Sequence, residues 1–220
     1  MEPPRWSIIT PSQYEWERHG LDFIRTGLPD HDPYRAWANF EFQTEDGAVY
    51  ELDLLVLTKQ GFWLLEGKAW SRRIYGDAGT WTISHDGKLR SEDNPVLLAN
   101  RKAKALASLL KVQPAVGKIR VPWLEALVFL SADDVQCDLT GAARNRVVLK
   151  DRPAEGGRPE RKDVLAVLIT GTVPPARAST RTCARPSTSR SPRRCPERWS
   201  RRASVRRRRR GAWATISSAT

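Results

Sequence analysis

Apolar residues crowd most densely between Val49 and Lys68, a stretch reading VYELDLLVLTKQGFWLLEGK. Two apolar runs, Val49 to Leu57 and Phe62 to Leu65, flank the polar break Thr58-Lys59-Gln60-Gly61 and predict two strands joined by a tight hairpin. Side chains alternate faces along a strand, so Glu51, Asp53, Leu55 and Leu57 are expected on one side and Tyr50, Leu52, Leu54 and Val56 on the other. Phe62, Leu64, Glu66 and Lys68 share a face by the same rule. Pairing Leu57 with Phe62 across the loop sets Asp53 opposite Glu66 and Glu51 opposite Lys68.

Weaker patterns surround this hairpin. Ser12-Gln13-Tyr14-Glu15 has the form of a capping box and predicts a helix from Ser12, closed by Gly27 and Pro29, with Glu15 capping and Glu17 facing inward beside Leu21, Ile24 and Leu28. Tyr34 to Thr44 reads as the first strand. Ile74 to Asp77 and Trp81 to Ile83 read as short strands, with another after the Asp86-Gly87 turn. Asn94-Pro95 opens a helix through Lys111 with Leu97, Leu98, Leu106, Leu109 and Leu110 as its apolar positions, and Pro114 ends it. Leu124 to Leu130 predicts a central strand, Val147 to Leu149 another, and Asp163 to Ile169 either a helix or a strand. Trp6, Trp37, Trp63 and Trp81 are expected in the core or half-buried. These elements imply one α/β domain over residues 1–172, a mixed sheet flanked by the Ser12 and Pro95 helices.

The charged residues inside the hairpin carry the candidate chemistry. Two carboxylates facing each other across adjacent strands repel, so Asp53 and Glu66 call for a cation between them. A hard divalent ion, Mg²⁺ or Mn²⁺, answers with oxygen ligands from Asp53, Glu66 and the Gly67 carbonyl. Lys68 then stands where it can orient water or offset charge on a phosphate, which suits phosphodiester hydrolysis. Salt bridges from Glu51 or Asp53 to Lys68 are the plain structural alternative. For Glu17 the alternative is a solvated surface carboxylate. Arg72, Arg73, Arg101, Lys102 and Lys104 are the candidate nucleic-acid contacts, with a solvated helix face as the competing reading. His19, His31 and His85 have no metal or triad spacing.

Charge changes the picture only at one end. The chain carries a formal +12, but fourteen of its 37 basic residues lie beyond residue 172, all of them arginine, against one acid, Glu197. The remainder holds 23 bases and 24 acids, so the body is not basic. From Val173 onward Arg, Ser, Ala, Thr and Pro dominate, which reads either as a disordered arm that grips nucleic acid through Arg206 to Arg210 or as GC-rich DNA translated out of frame. Cys137, Cys183 and Cys195 suit neither a disulfide framework nor a zinc site. With no leader-like segment and no bilayer-length apolar run, a cytoplasmic protein is expected.

Laid end to end, Glu17 in the first helix, the ELDLLVL strand with Asp53, the GFWLLEGK strand with Glu66 and Lys68, then GDAGTW and the NP-initiated helix resemble the nuclease-related domain, NERD. That family belongs to the PD-(D/E)xK, restriction-endonuclease-like nuclease class. The run from Pro11 to Phe42 is similar to the N-terminal region of the large serine/threonine kinases of bacterial phage-growth-limitation (BREX) systems. The resemblance implies metal ligation by Asp53 and Glu66, a catalytic Lys68 and an accessory Glu17, with DNA as substrate and other phage-defence proteins as partners. Gly67 stands where the family usually has an apolar residue, and Leu98 where it often has glutamine. No Gly-rich phosphate loop, H-R-D or D-F-G is present, so no kinase activity is expected of this chain. The competing expectations are a noncatalytic DNA- or partner-binding module from the start of a larger kinase, and an inactive truncated fragment.

Overall fold

The computed structural model describes residues 1, 5–114, 116, 121–154 and 160–173. The tail readings fall almost wholly outside these residues. Two sheets, three α-helices and a short 3-10 turn at Gly141–Arg144 make up the described domain.

The larger sheet has the order β1-β2-β3-β4-β8-β10, formed by Trp6–Ile8, Arg35–Gln43, Val49–Leu57, Phe62–Lys68, Leu124–Leu130 and Val147–Leu149. β3 runs antiparallel to both β2 and β4, while β1 joins β2, and β8 joins both β4 and β10, in parallel. The mixed sheet expected from the sequence is therefore present, with the apolar run of β8 buried in its interior. β1 was not expected, because a three-residue strand beside a Pro-rich start leaves no periodic signal. The hairpin pairs Leu57 with Phe62 as predicted, closed by Thr58 N–H to Gly61 carbonyl at 2.9 Å.

One face of this sheet packs α1, Glu15–Gly27, and α3, Val164–Thr170, over Ala36, Ala38, Leu54, Val56, Trp63 and Leu65. The opposite face packs α2, Pro95–Val112, over Leu52, Leu55, Leu64 and Ala126. The second sheet, order β7-β6-β5-β9, comprises Lys88–Asp93, Thr80–His85, Arg73–Gly76 and Gln136–Cys137. Its Ile74, Trp81 and Ile83 cluster with Val128, Leu130, Val147 and Leu149. Trp6, Trp63 and Trp81 are buried and Trp37 half-buried, as expected. The segment left open between helix and strand is helical α3, closed by Gly171 in the left-handed region at φ 76°.

Two expectations about the helices need correction. α1 begins at Glu15, with Tyr14 as an N-cap that makes no side-chain cap bond. The capping box does not form because the Ser12 hydroxyl accepts from Tyr14 N–H at 3.0 Å and donates to Glu17 instead. α2 begins as predicted, with Asn94 accepting from Val96 N–H at 2.9 Å. Its inward face, however, is Val96, Ala99, Lys102, Ala103 and Leu106, while Leu97 and Leu98 are 55% and 42% exposed. Small alanines let α2 lie close to the sheet, and leucine count alone misplaced the stripe.

Candidate active site

Three polar residues stand in one row across the apolar strands. The β2–β3 partners run Ala38↔Leu54 and then Phe40↔Leu52, stepping over Asn39 and Asp53. The β3–β4 partners stop at Leu54↔Leu65, one step short of Asp53 and Glu66. Regular pairing thus breaks where the sequence puts Asn39, Asp53 and Glu66 side by side. Asn39 has φ 54°, a left-handed conformation that asparagine tolerates better than most residues.

The break also swaps faces. Ala36 and Ala38 pack toward α1, but Phe40 and Phe42 pack toward α2; Leu54 and Val56 face α1, but Leu52 joins Leu55 on the α2 side. The strict alternation expected for β3 therefore fails between Leu52 and Leu54. Asp53 sits at the switch. Its Oδ2 accepts from Gly67 N–H at 2.7 Å, replacing the missing ladder bond, and among the described residues Oδ1 has no hydrogen-bond or ion-pair partner.

Glu66 lies on the α2 side and is buried. Lys68 Nζ approaches its Oε1 at 2.9 Å, and Lys102 Nζ approaches its Oε2 at 2.6 Å from α2. Neither Glu51 nor Asp53 pairs with Lys68, so the alternative salt bridges do not form. Burial alone would raise the pKa of Glu66, but Lys68 and Lys102 outweigh it and hold the carboxyl below its ordinary range. Asp53 goes the other way: burial and the neighbouring Glu66 push its carboxyl up to about 7, against weaker opposition from the Gly67 N–H and the lysines. Two adjacent carboxylates are thereby driven apart, a pattern common where acid–base work is done.

Glu17 reaches the same place from α1. Its Oε1 accepts from the Asn39 amide at 3.0 Å, which also donates to the Asp53 carbonyl at 2.9 Å, and its Oε2 accepts from Ser12. Glu17, Asp53, Gly67 and Ser131 line one pocket, floored by Leu21, Leu54, Leu65 and Phe129, with Trp16 beside them. Gly20 brings α1 against Ser131, where an added Cβ would lie 3.1 Å from the serine Cβ. At Gly67 an added Cβ would meet Asp53 Oδ2 at 3.5 Å, an ordinary contact, so close packing does not demand glycine there. Sequence reasoning missed Asn39 and Ser12. An isolated asparagine within RAWANFEF was the available signal for the first.

The expected basic surface is only partly present. Arg101 and Lys104 are exposed on α2, but Lys102, 8% exposed, points inward to Glu66 and leaves that surface. Arg72 is ion-paired with Asp134 at 3.5 Å and Asp86 at 3.9 Å, and Arg73 pairs with Asp138 and lies over the Tyr75 ring. Local acids thus hold both arginines.

The donor set fits a hard divalent ion in its chemistry. Asp53 Oδ1 carries no lysine or arginine among the described residues, Glu17 lines the same pocket, and both donors are carboxylate oxygens, whereas Glu66, expected as the second ligand, lies outside this pocket with a lysine on each oxygen. Among the described residues no three Asp, Glu, His or Cys side chains converge as a ready cage, so water would complete the shell, as Mg²⁺ sites commonly allow. Among the same residues no helix is long and apolar enough to cross a membrane.

The family model described as "Nuclease-related domain" (NERD) matches residues 12–131, a span that contains every residue of this pocket. A curated protein named "Probable kinase PglW", from Streptomyces coelicolor, is 37% identical over 176 residues, covering 76% of this chain and 11% of that protein. The chain therefore spans about a tenth of the length of the relative it matches. No solved structure matches.

Proposed function

The chain belongs to the nuclease-related domain family, and from that premise we propose that it hydrolyses DNA phosphodiester bonds with Mg²⁺ or Mn²⁺, in a phage-defence setting. The observation that carries this reading is Asp53. It is a carboxylate placed where two ladders break, with one oxygen fixed by a backbone N–H and the other without a partner among the described residues, and it lines a pocket that Glu17 also lines. A divalent ion there would activate water and offset phosphate charge.

The chain's own groups have distinct tasks. Asp53 keeps Oδ1 free of protein partners among the described residues, and Gly67 N–H keeps the carboxylate from rotating away. Asn39 and Ser12 fix both oxygens of Glu17, the accessory carboxylate. Lys68, held by Glu66 yet 28% exposed, has an ammonium that can meet a phosphate oxygen and stabilise its developing charge. Arg101 and Lys104 are candidate backbone contacts.

The test is nicking of supercoiled DNA by the full chain in Mg²⁺ or Mn²⁺, beside Lys68→Ala. Metal-dependent nicking that drops at least about 100-fold in the variant supports an active site. Undiminished nicking by Lys68→Ala contradicts it. A second reading, a noncatalytic module that binds DNA or a partner and delivers a larger kinase, draws on Glu66, whose two oxygens are already taken by lysines. It predicts DNA or partner binding with no metal-dependent cleavage in the wild type.

A further inference from the structure

Lys102 is an unusual side chain for its place. The sequence sets it among exposed cations on α2, yet it turns inward between Ala99 and Ala103, two small residues that leave room for its stem. A buried ammonium requires a partner, and it has one in Glu66 Oε2 at 2.6 Å. Glu66 is thereby shared between a partly exposed lysine from its own strand and a buried lysine from the helix.

Charge around the pocket then has a definite balance. Glu17 and Asp53 line the pocket, and Glu66 with its two ammoniums, Lys68 and Lys102, lies on the α2 side close enough to act on Asp53 through charge, so three carboxylates stand against two ammoniums. A divalent ion added to that set leaves an excess of positive charge, which an incoming phosphodiester anion cancels. Without Lys102 the ion alone would bring the set to neutrality.

We propose that Lys102 is a resident counter-cation that weakens binding of the bare divalent ion and so makes metal occupancy depend on the phosphodiester. The inference rests on the metal-dependent reading above. Lys102 acts through Glu66 and through its charge; it is a positioning residue rather than a catalytic one. Its ammonium occupies the Glu66 oxygen that could otherwise serve as a second ligand, and an ion held by Asp53 meets like charge across that carboxylate.

The experiment is calorimetric titration of Mn²⁺ into the full chain at pH 8 without DNA, wild type beside Lys102→Met, which keeps the stem and removes the charge. The variant is expected to bind Mn²⁺ at least about tenfold more tightly. Equal or weaker binding by a folded variant, judged by circular dichroism, overturns the inference and leaves the metal site standing. Should Lys102→Met not fold, Lys102→Gln takes its place under the same criterion. Failure of both to fold overturns the inference by assigning Lys102 to fold maintenance alone. Absence of Mn²⁺ binding by wild type and variant alike overturns the metal reading itself.

Discussion

Glu66 and Asp163 are equally buried, each 4% exposed, and their carboxyls move in opposite directions. Glu66 has an ammonium on each oxygen, at 2.9 and 2.6 Å, and is held below its ordinary range. Asp163, before α3, has Oδ2 at 3.6 Å from Arg144 and no hydrogen-bond partner on Oδ1 among the described residues, and burial pushes it up to about 6 despite Arg144. Burial sets the penalty for a charge; the number and closeness of cations decides the sign. Asp53 sides with Asp163, raised and without an ion-pair partner among the described residues, but it lines a pocket between α1 and the sheet. That difference in place, not burial, is what the metal-dependent reading draws on.

The largest effect expected from breaking this contrast is at Glu66. Glu66→Ala leaves Lys102 buried without an acceptor and should cost about 3–5 kcal/mol in urea denaturation. Removing the exposed partner is far milder, because Lys68→Ala leaves Glu66 paired with Lys102 and should cost under about 1 kcal/mol. Equal losses in the two would show that burial of Lys102 has no special weight.

A smaller effect of opposite sign is expected at Asp163. Its folded pKa lies above the ordinary 3.8, so the folded protein holds the proton more tightly than the unfolded chain. The destabilisation is absent below pH 3.8, grows through the interval up to about 6, and is complete above it. A rise of that size corresponds to at most about 3 kcal/mol. Asp163→Asn removes the charge and should raise stability at pH 8 by about 1–3 kcal/mol, with no gain at pH 4. A loss at both pH values would mean that Arg144, with Arg161 and Asp151 nearby, depends on the carboxylate.

How much of this was legible follows from what each feature needs. The hairpin and its Leu57–Phe62 register were legible because period-2 alternation and loop length act locally, but the Asp53–Glu66 and Glu51–Lys68 pairs extrapolated from that register do not form, since the ladder stops at Leu54–Leu65. The face switch at Asn39 and Asp53 was not, since alternation assumes an unbroken ladder and a break in two neighbouring strands is a tertiary event. Lys102 was misplaced for a related reason: helical spacing puts it beside Arg101 and Lys104, and only a buried carboxylate on another element turns it inward. Ser12 had a local motif that the structure uses differently, bonding Glu17 rather than capping the helix.

The most direct measurement is the thermal midpoint of the full chain with and without Mn²⁺, for wild type and Asp53→Asn. An ion that binds only the folded state at about 100 times its Kd adds about 2.7 kcal/mol, or a rise of about 5–10 °C for a domain of this size. The account predicts that rise in wild type and its loss in Asp53→Asn, whose side chain keeps its shape but gives up the charge that the open oxygen offers. An equal rise in both proteins, or none in wild type, would contradict it.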